Sequence, residues 1–184
     1  DAPDADDRAR LKPVVRRRLA SLQRHSAAPM SISVVVLAAG QGKRMHSDLP
    51  KVLHCIAGRP MVDHVLDLAR AVSDEKIIVV YGHGGQKLID ELDHRDVIWV
   101  EQSEQLGTGH GVAQALPKIA DGSTVLILYG DVPLLRPSSL EHLVAAGIET
   151  GFAVLTVRMP DASGYGRIVR DASGSIRRIV EHKD

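Results

Sequence analysis

From position 32 onward, short apolar runs alternate with amphipathic stretches, and this alternation constrains the fold more than any other property of the chain. Val34 to Ala38 contains no polar residue and is rich in β-branched side chains, as a strand covered on both faces must be. A glycine-containing loop follows, and Pro60 can open a helix because its missing N–H would be unpaired there anyway. Within that helix Val62, Val65, Leu66, Ala69 and Val72 fall on one stripe. Lys76 to Val80 then reads as a strand, Gln86 to Leu92 as a short helix, Val97 to Val100 as a strand and Gly109 to Ile119 as a helix. Thr124 to Tyr129 is another apolar strand, and Ser138 with Ser139 can cap a helix whose inner face is Leu140, Leu143 and Val144. Phe152 to Val157, Arg167 to Arg170 and Ile176 to Val180 read as strands, the last two joined by a turn at Ala172-Ser173-Gly174.

This order predicts an α/β domain around a mostly parallel sheet. In such sheets ligands bind past the carboxyl ends of the strands, near the point where strand order reverses. The loops after Ala38, Val80, Val100 and Tyr129 are therefore where chemistry is expected.

Several function classes are disfavoured by composition. Basic and acidic residues balance at 23 each, so no global field draws the chain to nucleic acid or to a membrane surface, and any bound anion must be held by local geometry. The single Cys55 excludes an internal disulfide and fits a reducing compartment. No apolar run approaches a membrane span and no signal peptide is evident, so the cytoplasm is the expected location. At 184 residues the chain suits one domain. Residues 1–29 carry scattered acids and Arg16-Arg17-Arg18 with little to pack, and read as a non-native or disordered extension, the arginines being either a solvated tail or a basic arm. Met30 reads as the natural start, and the domain is expected over residues 30–184, cut short at its C-terminal end.

Three loops carry candidate chemistry. The first is Leu37-Ala38-Ala39-Gly40-Gln41-Gly42-Lys43-Arg44-Met45, followed by Pro50-Lys51. Small residues let a phosphate or base approach the main chain, and Lys43, Arg44 and Lys51 add positive charge. The spacing fits neither the P-loop nor the dinucleotide fingerprint: Gly40 to Lys43 is too short for the first, and Met45 stands where the second needs glycine. A plain glycine turn and an anion-holding loop both remain open for it. The second loop, Glu101 to Gly109, offers Gln102 and Gln105 as paired donors and acceptors for a base edge, and Thr108 as a hydroxyl at a helix start. A capped helix start is the simpler reading. In the third, Tyr129-Gly130-Asp131-Val132-Pro133-Leu134, Asp131 is either a turn cap or a carboxylate for a hard divalent cation, with Gly130 leaving room beside it. His54, His64, His110 and His182 have no zinc-ligand spacing with Cys55, and His83 reads as part of a surface turn.

Together these segments resemble the nucleotidylyltransferases that activate sugar phosphates. The strings Gln105 to His110, Tyr129 to Leu134, Gly164-Tyr165-Gly166-Arg167-Ile168 and Val180 to Asp184 resemble the N-acetylglucosamine-1-phosphate uridylyltransferase branch, the N-terminal domain of bifunctional GlmU-type enzymes. The resemblance implies a Rossmann-like nucleotidylyltransferase fold and transfer of UMP from UTP to N-acetylglucosamine 1-phosphate, giving UDP-N-acetylglucosamine and pyrophosphate for cell-wall and lipopolysaccharide precursors. By residue match it implies that Leu37, Ala38, Ala39 and Gly40 hold the nucleotide and that Gln102, Gln105, Gly107 and Thr108 recognise uracil. It further implies that Arg44 and Lys51 hold the triphosphate as the catalytic cations, that Asp131 beside Gly130 binds Mg²⁺, and that Tyr129, Gly166 and Glu181 contact the sugar. Family members continue past the position of Asp184 with an asparagine that completes the metal site, then a β-helix acetyltransferase domain through which a homotrimer forms. Nucleic-acid and membrane partners are not expected. The same chemistry on another sugar phosphate or nucleotide, or a non-catalytic nucleotide-binding module, are the alternatives.

Overall fold

The computed structural model describes residues 31–40, 42, 45–82 and 84–180; expectations that fall on residues 1–30, on Lys43, Arg44 and His83, or on Glu181 to Asp184 lie outside these. The described chain divides between Ala153 and Val154 into two compact units.

The first unit is built on a four-stranded sheet of β1 (Ile32–Leu37), β4 (Ile77–Gly82), β5 (Val97–Gln102) and β6 (Thr124–Tyr129), in the order β5-β4-β1-β6. All three pairings are parallel. A two-residue ladder of β2 (Cys55–Ile56) with β3 (Arg59–Pro60) precedes α1 (Met61–Val72). Helix α2 (Gln86–Glu91) follows β4, α3 (Thr108–Ala115) follows β5 and α4 (Pro137–Thr150) follows β6. The second unit contains the antiparallel pair β7 (Arg167–Arg170) and β8 (Ile176–Val180), with a register shift at Val169/Arg170.

Strand β1 is the reason for the architecture. Val34, Val35 and Val36 are fully buried, and alternation along the pleat sends them to opposite faces. Val34 and Val36 join the larger core with Val62, Val65, Leu66 and Ala69 of α1 and Leu140 and Val144 of α4, while Val35 packs with Ile78, Val80 and Ala115 on the other side. Each such side chain contributes about 1.5–3 kcal/mol on burial, so a polar residue anywhere in the run would be costly. The stripe read along α1 is buried at every one of its five positions. Among the described residues, no helix is long and apolar enough to cross a membrane.

Several expectations are corrected. Phe152 to Val157 forms no strand; Phe152, Leu155 and Val157 are exposed, and no ladder partner exists for the segment among the described residues. Helix α4 begins one residue before the two serines, with Pro137 in its first turn and Arg136 at the N-cap, so neither serine caps it. Strand β6 forms where the apolar run stands, at one edge of the sheet, with Val125, Ile127 and Tyr129 exposed while Leu126 and Leu128 are buried. Strand β5 runs two residues further than its apolar stretch, because Tyr81 and Gly82 of β4 continue the ladder opposite Glu101 and Gln102. Helix α3 ends at Ala115, and Pro117 turns the continuation into a short 3-10 segment, Leu116–Lys118.

The β2–β3 ladder is tied down by Asp63, a carboxylate in the first turn of α1 that is only 5% exposed. Arg59 holds its Oδ2, with Nε at 2.8 Å, and Arg95 holds its Oδ1, with Nε at 2.7 Å. Both arginines also reach Asp67, one turn along the helix, at 2.9 Å and 3.1 Å. Burial pushes the Asp63 carboxyl up, but the hydrogen bonds and charges of Arg59 and Arg95 outweigh it and hold the group below the usual carboxylate range. A carboxyl whose folded pKa is depressed adds stability above its unfolded pKa, and that stability is lost as pH falls through the folded value. Asp63→Asn should therefore lose roughly 2–4 kcal/mol near neutral pH, since of the two carboxylates that hold these arginines the buried one loses its charge. Urea melts of both proteins from about pH 7 to about pH 3 should show the gap closing only once pH drops below the free carboxylate value of about 3.9. A gap that stays constant across that range would remove the ionic assignment.

Candidate functional site

Strand order places β4 on one side of β1 and β6 on the other, so the chain reverses its direction of addition at β1 and a crevice opens past the strands' carboxyl ends. A cavity of about 290 Å³ occupies this position, lined by residues from every loop singled out in the sequence except that after Val80. Leu37, Ala39 and Gly40 line it from the end of β1, Gln102 from the end of β5, Gln105, Gly107 and Thr108 from the loop into α3, and Tyr129 and Asp131 from the end of β6. Lys51 completes it from a 3-10 turn, Lys51–Leu53.

Two expected residues stand behind the lining. Ala38 is buried, its N–H donating to Val80 O at 2.8 Å. Gly130 donates to Leu37 O at 2.9 Å, and a Cβ there would stand 3.1 Å from Val52 Cγ1, so glycine lets β6 close on the turn that presents Lys51. Gly166 belongs to the second unit, and Arg44 and Glu181 lie outside the described residues. Conversely, Val52 and Gly111 line the cavity without having been singled out. Neither carries a polar signal: one is an apolar residue behind a lysine, the other a glycine inside a helix.

The charged pair of the site is Lys51 with Asp131, Nζ to Oδ2 at 2.6 Å, both partly exposed. A lysine and a carboxylate held together at a cavity wall present little net charge, yet both can turn toward an anion and a cation when these arrive. Gly42, with φ of +58°, makes the lysine's place possible: a Cβ at 42 would stand 2.7 Å from Lys51 Cβ.

The amide side is more rigid. Gln102 is buried, and its Nε2 donates to Gly107 O at 3.1 Å and approaches His110 Nδ1 at 3.1 Å. Gln105 Nε2 donates to Ala39 O at 2.9 Å, tying the loop into α3 to the loop after β1. The expected cap role of Thr108 is corrected: Gly107, with φ of +100°, is the N-cap, and no side chain closes the helix start. Thr108 keeps its hydroxyl uncommitted to the helix.

A second cavity of about 300 Å³ lies on the far side of the Ala39-Gly40 turn, between Ser47 to Pro50 and Gly84 to Leu88. A third, beside Arg95 and Asp96, borders the ion pairs of Asp63 and lies at the amino-terminal ends of β4 and β5, away from the carboxyl ends. Among the described residues no three His, Cys, Asp or Glu side chains cluster as a metal cage.

Comparison with known proteins agrees with this fold. The family profile described as the MobA-like NTP transferase domain matches residues 34–177. The bifunctional protein GlmU of Cupriavidus pinatubonensis is 58% identical over 153 residues, which is 83% of this chain and 34% of that protein. The chain thus spans about a third of the length of the curated relatives it matches. Rv0371c from Mycobacterium tuberculosis superposes with a TM-score of 0.55 at 28% identity, over 67% of this chain and 63% of that one. A UDP-glucose pyrophosphorylase complexed with UDP-glucose superposes with a TM-score of 0.65 at 18% identity, over 84% of this chain and 69% of that one, a likeness of fold. With the profile covering most of the sequence and the site lying where the fold demands, the chain belongs to the MobA-like NTP transferase domain family.

Proposed function

We propose that this chain is the uridylyltransferase domain of a larger GlmU-type enzyme, transferring UMP from UTP to N-acetylglucosamine 1-phosphate. The observation that carries the reading is one crevice that brings a buried amide, Gln102, and an exposed one, Gln105, for a base together with a lysine and a carboxylate for phosphates. The 58% identity to a bifunctional GlmU supports the choice of nucleotide and sugar.

In this reading the base lies against Gln102, Gly107 and Thr108, and the α-phosphate lies toward Lys51. A phosphate oxygen of the sugar phosphate attacks the α-phosphorus as the bond to the bridging oxygen breaks and pyrophosphate leaves. The attacking oxygen is already ionised near neutral pH, so no general base is required. The chain's own contribution is alignment and charge: Lys51 neutralises phosphate oxygens, and Leu37, Ala39 and Gly40 let the nucleotide approach the main chain. Arg44 is proposed as a second cation on the triphosphate, and Tyr129, Gly166 and Glu181 as sugar contacts.

Asp131 fits a Mg²⁺ ion. Its carboxylate lines the cavity and is partly exposed, and Mg²⁺ takes one or two protein carboxylates when phosphate oxygens and water complete its shell. Bound there with substrate, the ion would polarise phosphate oxygens and offset the developing charge. Because Lys51 holds one oxygen of Asp131, arrival of a metal and a phosphate frees each partner for its own ligand.

With UTP, N-acetylglucosamine 1-phosphate and Mg²⁺, pyrophosphate release by the longer protein should depend on both substrates and exceed that with CTP or GTP. Preference for another nucleotide would overturn the assignment. Asp131→Ala should lower turnover at least about a hundredfold with little change in melting temperature, since a partly exposed pair contributes only about 0–1 kcal/mol to stability. Near-normal turnover would exclude Asp131 as the ligand. Gly82→Ala probes the base side: its Cβ would stand 2.7 Å from both Ala39 O and Gln105 Nε2, displacing the tie between the loops. UTP affinity should fall roughly tenfold, as for one lost hydrogen bond, and unchanged affinity would show that this tie does not shape the site.

A further inference from the structure

His110 lies in the first turn of α3 with both ring nitrogens engaged by amides. Nδ1 is 3.1 Å from Gln102 Nε2, and Nε2 is 3.0 Å from Gln114 Nε2. A neutral imidazole accepts at one nitrogen only, so these contacts can be sorted. Gly107 O, 3.1 Å from the Gln102 amide, can only accept, which fixes nitrogen at that end of Gln102. The second hydrogen of the same nitrogen then points to His110 Nδ1, which must carry the lone pair. The ring proton is therefore on Nε2. Gln114, one turn along at helical i, i+4 spacing, must meet that proton with its oxygen, a half-turn of a group whose two ends are alike in shape.

Both Gln102 hydrogens are thus used within the protein, and only Oε1 is left to offer. Among the described residues Oε1 has no hydrogen-bond partner, and the residue lines the cavity. Gly111 leaves it space, since a Cβ there would stand 3.1 Å from Oε1. Gly107 lines the same cavity, and its N–H also makes no hydrogen bond among the described residues. An acceptor and a donor lining one cavity match the N3–H and C4 carbonyl of uracil or thymine. Cytosine presents the reverse, an acceptor at N3 and a donor at its 4-amino group. A glutamine free to turn over could serve either base.

We propose that His110, backed by Gln114, is a positioning residue that sets selectivity for uracil over cytosine by holding the Gln102 amide with its oxygen toward the base. The proposal rests on the reading of Gln102 as the base contact. Without His110 the amide keeps one restraint, the Gly107 carbonyl, and gains an unpaired N–H that can swing toward a ligand.

The test is calorimetric binding of UTP and CTP, with Mg²⁺, to the 184-residue chain and two variants. His110→Phe keeps a flat ring without the acceptor, and His110→Asn places an amide oxygen near the site of Nδ1. The native chain should prefer UTP, and His110→Phe should lower the UTP-over-CTP affinity ratio roughly tenfold, the worth of one hydrogen bond to a buried amide. His110→Asn should bring the ratio back toward native. Equal weakening toward both nucleotides in His110→Phe, or a ratio left unchanged, would overturn the role of His110 while leaving the uridylyl reading intact. Failure of His110→Asn to restore a lowered ratio would overturn the hydrogen-bond assignment. A native chain that binds neither nucleotide, or prefers CTP, would instead overturn the reading of Gln102 and this inference with it.

Discussion

The site depends on the burial of one strand. β1 has neighbours on both sides and helices on both faces, so its direction and height are held by two ladders and two cores at once. Its register with β6 runs without a break from Ile32 opposite Thr124 to Leu37 opposite Tyr129. The two strands therefore end level, and the loops that follow them open at the same place. Ala38 N–H still bonds Val80 O beyond the end of the strand, and Gly130 N–H bonds Leu37 O. The main chain around the crevice is thus held by the sheet before any side chain acts, which suits a site that must hold phosphates in line.

Onto this frame the side chains are mounted with unequal freedom. Gln102 is buried at a strand end and its hydrogens are committed to fixed partners, so the amide side of the cavity is preorganised. Lys51 and Asp131 are partly exposed and, among the described residues, hold only each other. A base is recognised by the placement of a few donors and acceptors, which rewards rigidity. In the proposed reading phosphates and a metal bring strong charge of their own, and a pair that would separate on their arrival leaves no lone charge in the free protein.

Much of this arrangement is legible in the residues, and the losses have physical causes. Apolar runs locate β1 and β4 because strands buried in a parallel sheet show little else, they locate the edge strands β5 and β6 as well, and the stripe of α1 is visible because a helix packed on a sheet needs one apolar side. The same reasoning fails at Phe152 to Val157, where an apolar run finds no ladder. Strand-forming residues are a precondition for a strand, and the partner that completes one is a matter of tertiary structure. The β2–β3 ladder goes unread because two residues carry no periodicity, and its anchor, Asp63, looks like one more surface charge on α1 until Arg59 and Arg95 converge on it.

The residues missed at the crevice follow the same logic. Lys51, Asp131 and Gln102 carry groups whose chemistry announces itself. His110 and Gln114 act through Gln102 and leave a weaker trace, two polar side chains four apart on a helix with Gly111, Val112 and Ala113 between them. A histidine is commonly weighed as a ligand or a base, and by that measure His110 is idle, with no metal cluster around it among the described residues. Its value lies in being a neutral ring that can accept at one nitrogen and donate at the other, which passes a fixed polarity from one amide to the next. Such a group specifies which end of an amide faces a ligand without touching the ligand. Residues of this kind are visible only when the hydrogen-bonding capacity of every neighbour is counted.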